Sequence, residues 1–225
     1  MSSNIDRRTF LTTAGSAAAA ATLAGCSGGS DDASSDDGTD TTDSDESSAE
    51  TTGTLVYARG DHPQNYDPQQ TTSGEVAKVT NQIYDQLVGF TPGSGGQLRD
   101  GLATEYSLEG TTAKLTLRED VTFHNGESFT AEDVRATIRR FTDSGYEHYL
   151  GDENRSGYGP FTFGDWVDTI EASSEFEVTI QLTQQYAPFL RNLAMFAAAI
   201  LSKAQIESLE NQVELGTEPQ GTGAF

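Results

Sequence analysis

Histidine is the commonest general base and metal ligand in proteins, and this chain has three: His62, His124 and His148. They stand in unrelated sequence contexts. The sequence has neither a Gly-x-Ser-x-Gly nor a His-Glu-x-x-His spacing, which would place a nucleophile on a sharp turn or zinc ligands on one helix face. It therefore predicts no catalytic residue, no metal site and no cofactor. An exported hydrolase stays as the enzyme alternative, because the acidic residues are too numerous to single out a catalytic pair.

The stretch LREDVTFHNGESFTAEDV, residues 117–134, is typical of architecture rather than of a reactive site. His124 has no second His or Cys at ligand spacing, and the following Asn125-Gly126 pair predicts a tight turn. Thr130 is placed to cap the next helix, with Asp133 three residues later as its capping-box partner. Each polar residue here has a local structural role, so we expect His124 to perform no chemistry.

The only cysteine, Cys26, ends a segment with the features of an export signal. Residues 1–26 contain the pair Arg7 and Arg8, an Ala-rich stretch and then Leu-Ala-Gly-Cys. The pair resembles a twin-arginine signal and the last four residues resemble a lipobox, whose Cys becomes the lipidated first residue of the mature chain. The stretch is too short and too weakly apolar for a membrane span. Because one acyl anchor binds a membrane only marginally, a second contact is expected.

Residues 27–53 contain nine acidic residues, no Lys or Arg, and no apolar residue larger than Ala. Such a segment cannot bury enough apolar surface to offset the entropy cost of ordering it. Its composition predicts a disordered acidic tether of Ser, Thr and Asp. Binding of a metal or of a basic partner is the alternative use of this run.

Residues 54–225 carry 25 Asp and Glu against 11 Lys and Arg, a net charge of −14. Nucleic-acid binding needs basic patches, so the composition argues against it. The acids are spread along the chain, which favours a halophilic, archaeal protein whose self-repulsion is screened at high salt. A cationic partner is the alternative explanation.

Hydrophobic periodicity and turn residues predict a mixture of hairpins and capped helices in residues 54–225. The capping-box pattern Thr72-Ser73-Gly74-Glu75 predicts a helix that begins after Thr72. Pro188 is expected at the first position of a later helix, and Ser202 is expected to cap a short helix that ends near Glu210. The other predicted elements are a strand at 54–59, a break at 91–96, a hairpin at 106–117, a loop at 143–164 and a hairpin at 166–182.

Several runs, in this order, resemble one family: LVYARGDHPQNYDPQ, IYDQLVGF, LATEYSLEG, LTLREDVTFHNGESFTAEDV and PQGTGAF. They are similar to the extracellular solute-binding proteins of family 5, the dipeptide and oligopeptide binders of ABC importers. Tyr66 and Ala224 depart mildly from the family pattern. The resemblance implies an α/β fold, the first lobe of a two-lobed, type II periplasmic-binding-protein-like fold, with mixed sheets, hairpins and flanking helices. It also implies that the chain is incomplete, since 54–225 corresponds to the N-terminal lobe and the second lobe is absent.

In peptide-binding relatives, the segment that leads into the first helix lines the cleft, and Thr72, Ser73 and Gly74 occupy that place here. Hydroxyls and free amides at a helix N-terminus suit a ligand carboxylate, and a capping role of Thr72 is compatible with this contact. The resemblance makes Tyr146 and Tyr149 further candidates, as aromatic contacts in the cleft.

The resemblance implies a solute-binding component that delivers peptides or peptide-like solutes to a membrane permease and its ATPase. With the export signal, it implies a lipid-anchored protein on the outer face of the cytoplasmic membrane, exported by the twin-arginine route. A sensory receptor on the same fold is one alternative. Binding of a non-peptide solute such as nickel, haem or a sugar is another.

Overall fold

The computed structural model describes residue 60, residues 62–63 and residues 65–225. The predictions for Arg7, Arg8, Cys26, the 27–53 tether and the strand at 54–59 lie outside the described residues. Within them, the helices are α1 (Gly74–Ile83), α2 (Ala131–Thr142), α3 (Gly159–Thr162), α4 (Phe189–Asn192) and α5 (Lys203–Ser208). The strands are β1 (Val88–Phe90), β2 (Leu98–Asp100), β3 (Ala103–Glu109), β4 (Thr112–Leu117), β5 (Val167–Ser174) and β6 (Glu177–Leu182), and 3-10 helices span Gly164–Trp166, Phe196–Ala198 and Gln212–Thr217.

A four-stranded antiparallel sheet, in the order β3-β4-β6-β5, carries the apolar core. Both predicted hairpins are confirmed as β3–β4 and β5–β6. Leu115 of β4 pairs with Val178 of β6, and both are buried, whereas their chain neighbours alternate toward solvent. This period of two gives the sheet one apolar face. The core on that face includes Leu117, Phe123, Phe129, Ile138, Phe141, Phe163, Ile180 and Phe189.

A second, two-stranded sheet was missed because TPGSGG indicated only a break. β1 and β2 pair from Val88↔Asp100 to Phe90↔Leu98. The loop between them turns through Gly93, Gly95 and Gly96, which all have positive φ. Glycine adopts that conformation at little cost, so the same residues that interrupt the pattern allow the strands to pair.

Helix α2 begins as predicted at its capping box. The amide of Thr130 donates to Asp133 Oδ2 at 2.8 Å, and Val134, Ile138 and Phe141 are buried on one face. The predicted turn before it is also present, since Gly126 has a φ of 85° and its amide donates to Phe123 O.

The prediction that Thr72 caps the first helix is wrong. Ser73 is the N-cap residue, and its Oγ accepts from the amide of Glu75 at 3.3 Å. Glu75 does not reach back to the cap, because its carboxylate pairs with Lys78 at 2.6 Å. The extended backbone at Ser73 brings its own hydroxyl over the first turn, which leaves Thr72 one residue too far away.

The helix expected from Pro188 is shorter than predicted. Pro188 lies at the cap position, and α4 ends after one turn at Asn192. The chain then becomes extended at Met195, and the amide of Ile200 donates to Asp85 O at 2.9 Å. This pairing to a distant segment takes the chain off the helical path. The later helix α5 does begin at Ser202, whose Oγ accepts from the amide of Gln205 at 3.2 Å, but it ends at Ser208.

The loop predicted at 143–164 contains the short helix α3 and the start of a 3-10 helix. Gly159 begins α3 because its lack of a side chain lets the Phe141 ring pack against it; an added Cβ would lie 1.6 Å from Phe141 Cζ. This close approach between residues 18 positions apart has no local sequence signal.

Candidate functional site

The N-terminus of α1 opens to solvent. Thr72 and Gly74 are exposed, Ser73 is half-buried, and a Cβ added at Gly74 would have no atom within 4 Å. The first amides of a ten-residue helix carry partial positive charge, and hydroxyls of Thr and Ser flank them here. The three residues singled out from the sequence therefore form one continuous, accessible polar surface that can accept an anionic group.

The segment before this surface is buried and held by its own side chains. Asn65 Oδ1 accepts from the amide of Asp67 at 2.7 Å, and Asp67 Oδ1 accepts from the amide of Gln69 at 2.8 Å. Gln69 O accepts from the amide of Ser156 at 2.8 Å. Asp67 and Gln69 are both fully buried. The chain thus reaches Thr72 from a rigid base.

A buried ion pair underlies this base. Arg140 Nη2 lies 2.7 Å from Asp67 Oδ2, and both side chains are 0% exposed. Arg140 also donates to Gln69 Oε1 and to Gln212. Burial raises the pKa of Tyr84 strongly, with a further rise from the charge of Asp67 and an opposing effect from Arg140. This cluster was not predicted from the sequence, where the Asp-Pro-Gln run at 67–69 was its one local signal.

Tyr146 and Tyr149 have intramolecular partners. Arg139 Cζ lies 4.5 Å from the centroid of the Tyr146 ring, and His148 contacts that ring edge-on. Tyr149 donates to Asp152 Oδ1 at 2.6 Å. Burial raises the pKa of both tyrosines, and the bond to Asp152 adds to the rise at Tyr149.

The loop that carries these tyrosines meets the α1 surface at its other end. A Cβ added at Gly157 would lie 3.8 Å from Thr72 Cγ2. Neighbouring Ser156 is 6% exposed, and its Oγ has no hydrogen-bond partner among the described residues. The structure therefore brings Gly157, which was not singled out from the sequence, next to Thr72.

His124 joins the 123–128 turn to the segment Gly221–Gly223. Its Nε2 lies 2.9 Å from Gly223 O, and the amide of Gly221 donates to Nδ1 at 3.3 Å. Because Nδ1 accepts, Nε2 carries the proton and donates. Both ring nitrogens are engaged with backbone, so the role of His124 in this structure is fastening.

No helix in the described part of the chain combines the length and apolar character needed to cross a bilayer. No group of three or more His, Cys, Asp or Glu side chains there is arranged to hold a metal ion.

Residues 97–225 match the family described as bacterial extracellular solute-binding proteins, family 5 middle. Over 188 residues the chain is 31% identical to Di/tripeptide-binding protein 2 of Pseudomonas aeruginosa. The matched region covers 76% of this chain and 35% of that protein. A dipeptide-binding protein from a Pseudoalteromonas species, solved in complex with Met-Leu, superposes with a TM-score of 0.66 at 29% identity, over 72% of this chain and 34% of that one. A periplasmic binding protein from Helicobacter pylori, solved with a bound peptide, gives a TM-score of 0.64 at 31% identity, over 72% and 34%.

The chain spans about a third of the length of the relatives it matches. The matched structures are periplasmic binding proteins, and the described residues form mixed α/β structure with antiparallel sheets and flanking helices. The predicted fold class is thereby confirmed.

Proposed function

This chain belongs to the bacterial extracellular solute-binding proteins of family 5, and we propose that it binds peptides or peptide-like solutes outside the cytoplasm for an ABC importer. The relatives that support this proposal are di/tripeptide- and dipeptide-binding proteins by name. The proposed partners are the permease and ATPase subunits of the importer. Nucleic acid is not a proposed partner.

The accessible N-terminus of α1 is the observation that carries the proposal. Thr72 and Gly74 are exposed and Ser73 is half-buried at the first turn of the helix. A peptide has a free carboxylate, and a helix N-terminus binds anions through its amides and its dipole. Thr72, Ser73 and Gly74 are therefore the proposed solute contacts, with Tyr146 and Tyr149 as candidates for aromatic contact at the far end of the adjoining loop.

A titration across solute classes tests the proposal. Isothermal titration of the protein, expressed with whatever open reading frame follows Phe225, should give heat with dipeptides and tripeptides. Nickel–histidine, haem and a sugar panel serve as the competing classes. Binding of one of those, with no heat from any peptide, would replace the peptide proposal.

We propose in addition that the protein is anchored through Cys26 after export directed by Arg7 and Arg8, with residues 27–53 as the tether. Mass spectrometry of the membrane fraction should find a lipid-modified N-terminal Cys26. A mature chain that begins elsewhere, together with unchanged membrane association of Cys26→Ala, would contradict the anchor.

A further inference from the structure

Arg140 sits in α2 but makes its hydrogen bonds to two other segments of the chain. Its Nη1 donates to Gln69 Oε1 and its Nη2 to Asp67 Oδ2, each at 2.7 Å. Its Nε donates to Gln212 Oε1 at 2.9 Å, and Nη2 donates also to Gln212 O at 2.7 Å. One side chain therefore joins three segments that lie 71 or more residues apart in sequence.

Filling the core does not require a charge at this position. A buried ion pair gains little or no stability over apolar residues of the same volume, because desolvation of both charges offsets their attraction. A guanidinium does provide a planar fork that fixes the direction of each acceptor. The four bonds of Arg140 therefore specify where Asp67, Gln69 and Gln212 lie, which an apolar side chain could not do.

The acceptors are themselves fixed from a second side. Gln69 Nε2 donates to Thr137 O at 3.0 Å, one turn before Arg140 on α2. Gln212 Nε2 donates to Ile206 O at 2.8 Å. Each amide is thereby held in one orientation, with its oxygen toward Arg140.

Gln69, which Arg140 holds in place, lies three residues before Thr72, the start of the proposed solute surface. Gln69 is fully buried, whereas Thr72 is exposed. Between them Thr71 Oγ1 accepts from the amide of Ser73 at 3.0 Å, which carries the constraint to the cap of α1. We infer that Arg140 is a positioning residue for the solute site, acting through Asp67 and Gln69 on Thr72–Gly74; this inference rests on the proposed function.

Two variants distinguish a role of Arg140 in positioning the Thr72–Gly74 segment from a role in stabilising the fold alone. Arg140→Lys keeps the positive charge beside Asp67 but cannot make the forked set of bonds. The double variant Arg140→Met with Asp67→Asn removes both charges and leaves an oxygen to accept the Gln69 amide. Arg118→Lys is the matched control, since Arg118 forms an exposed pair with Asp120.

The first measurement is dipeptide affinity at a temperature where each variant is folded. We expect Arg140→Lys to weaken binding by about tenfold or more, by analogy with the loss seen when a group that orients a metal ligand is removed. The double variant leaves no unpaired buried charge, but Gln69 Oε1 and two oxygens of Gln212 lose their donor, so it should melt below wild type and bind the dipeptide weakly where it is still folded. Arg118→Lys should bind within about twofold of wild type, as a surface change does. Wild-type affinity in the folded double variant would overturn the inference.

The second measurement needs no ligand. Backbone amide hydrogen exchange, followed in a proteolytic fragment that covers residues 70–76, should speed up in Arg140→Lys and in the double variant, and stay unchanged in Arg118→Lys. If the wild type binds no peptide, the proposed function fails while this readout still decides the positioning role. If Arg140→Lys does not fold, the double variant decides it. Unchanged exchange in the folded variants would show that Arg140 does not hold the segment.

Discussion

His124 Nε2 lies 2.9 Å from the carbonyl oxygen of Gly223. The His124 amide also donates to Gly221 O at 2.9 Å, so backbone and ring together fasten the Gly221–Gly223 segment to the turn before α2. His124 thus has a structural role.

Removal of the His124 ring should lower the free energy of unfolding. Zn²⁺ should leave that free energy unchanged, with or without the ring. His124→Ala leaves the carbonyl of Gly223 and the amide of Gly221 without these partners, so we expect a loss of about 1–2 kcal/mol in the free energy of unfolding. Urea denaturation with and without Zn²⁺ measures both points. A variant as stable as wild type, or a wild-type protein that Zn²⁺ stabilises through His124, would contradict the fastening role.

Gly221 and Gly74 should respond in opposite ways to alanine. A Cβ at Gly221 would lie 1.8 Å from Ile83 O, a backbone atom, so we expect Gly221→Ala to destabilise the protein by about 1–3 kcal/mol or more. Gly74 has open space and an ordinary φ in the first turn of α1, so Gly74→Ala should be neutral or stabilising by up to about 1 kcal/mol. Thermal melts of the two variants give the comparison. Equal effects would show that the close approach at Gly221 is not tight in solution.

Asp133 should make a pH-dependent contribution to stability. Its carboxylate accepts from the amides of Thr130 and Lys203, each at 2.8 Å, and so joins the N-termini of α2 and α5. Burial raises the pKa of Asp133, although these hydrogen bonds oppose the rise. A folded-state pKa above that of the unfolded chain means that the folded state binds the proton more tightly. The contribution of Asp133 is then fully present below the ordinary Asp pKa and is lost as pH rises through the raised value.

The difference in the free energy of unfolding between wild type and Asp133→Asn isolates this effect, because the contributions of the other acidic residues are the same in both proteins and cancel. The free energy of unfolding of wild type minus that of the variant should fall as pH rises from about 4, the ordinary pKa of Asp, and level off above the raised value. Urea denaturation of wild type and of Asp133→Asn, from pH 3.5 to 7 at fixed salt and on the same day, measures this difference. A difference that grows with pH would mean that the hydrogen bonds outweigh burial.

Salt should stabilise this protein. Residues 54–225 carry a net charge of −14, so repulsion among surface acids opposes the compact state. The exposed ion pairs contribute only about 0–1 kcal/mol each to the free energy of unfolding. Salt therefore removes less stability by screening these pairs than it adds by screening the repulsion among the excess acids. The thermal midpoint should therefore rise from dilute to molar KCl, where the Debye length falls to about 3 Å. A flat or falling midpoint would contradict the halophilic interpretation.

Local chemistry made the hairpins, the Gly126 turn and the caps at Thr130 and Ser202 predictable. Each depends on residues within a few positions of one another, so the sequence contains the whole cause. The cap of α1 was placed one residue early for the same reason: Thr72 and Ser73 are both good capping residues, and pattern alone cannot choose between adjacent hydroxyls.

Long-range contacts were not predictable. The Asp67–Arg140 pair joins residues 73 positions apart, and nothing near Arg140 in sequence distinguishes it from its half-buried neighbour Arg139. The early end of α4 likewise follows from the distant pairing of Ile200 with Asp85. At the proposed solute surface, the candidate residues came from a family resemblance, and the exposure of Thr72 and Gly74 at the N-terminus of α1 came from the structure.

The central claim is that the N-terminus of α1 receives the carboxylate of a peptide. The most direct measurement is isothermal titration with a dipeptide and with the same dipeptide amidated at its C-terminus, for wild type and for Gly74→Leu. We expect wild type to bind the free acid in the micromolar range or tighter and the amide at least about tenfold more weakly, a difference of about 1.4 kcal/mol. Gly74→Leu should lose affinity for the free acid while it keeps the Ser73 cap and the wild-type melting temperature. Equal affinity for acid and amide, or full affinity in folded Gly74→Leu, would contradict the account.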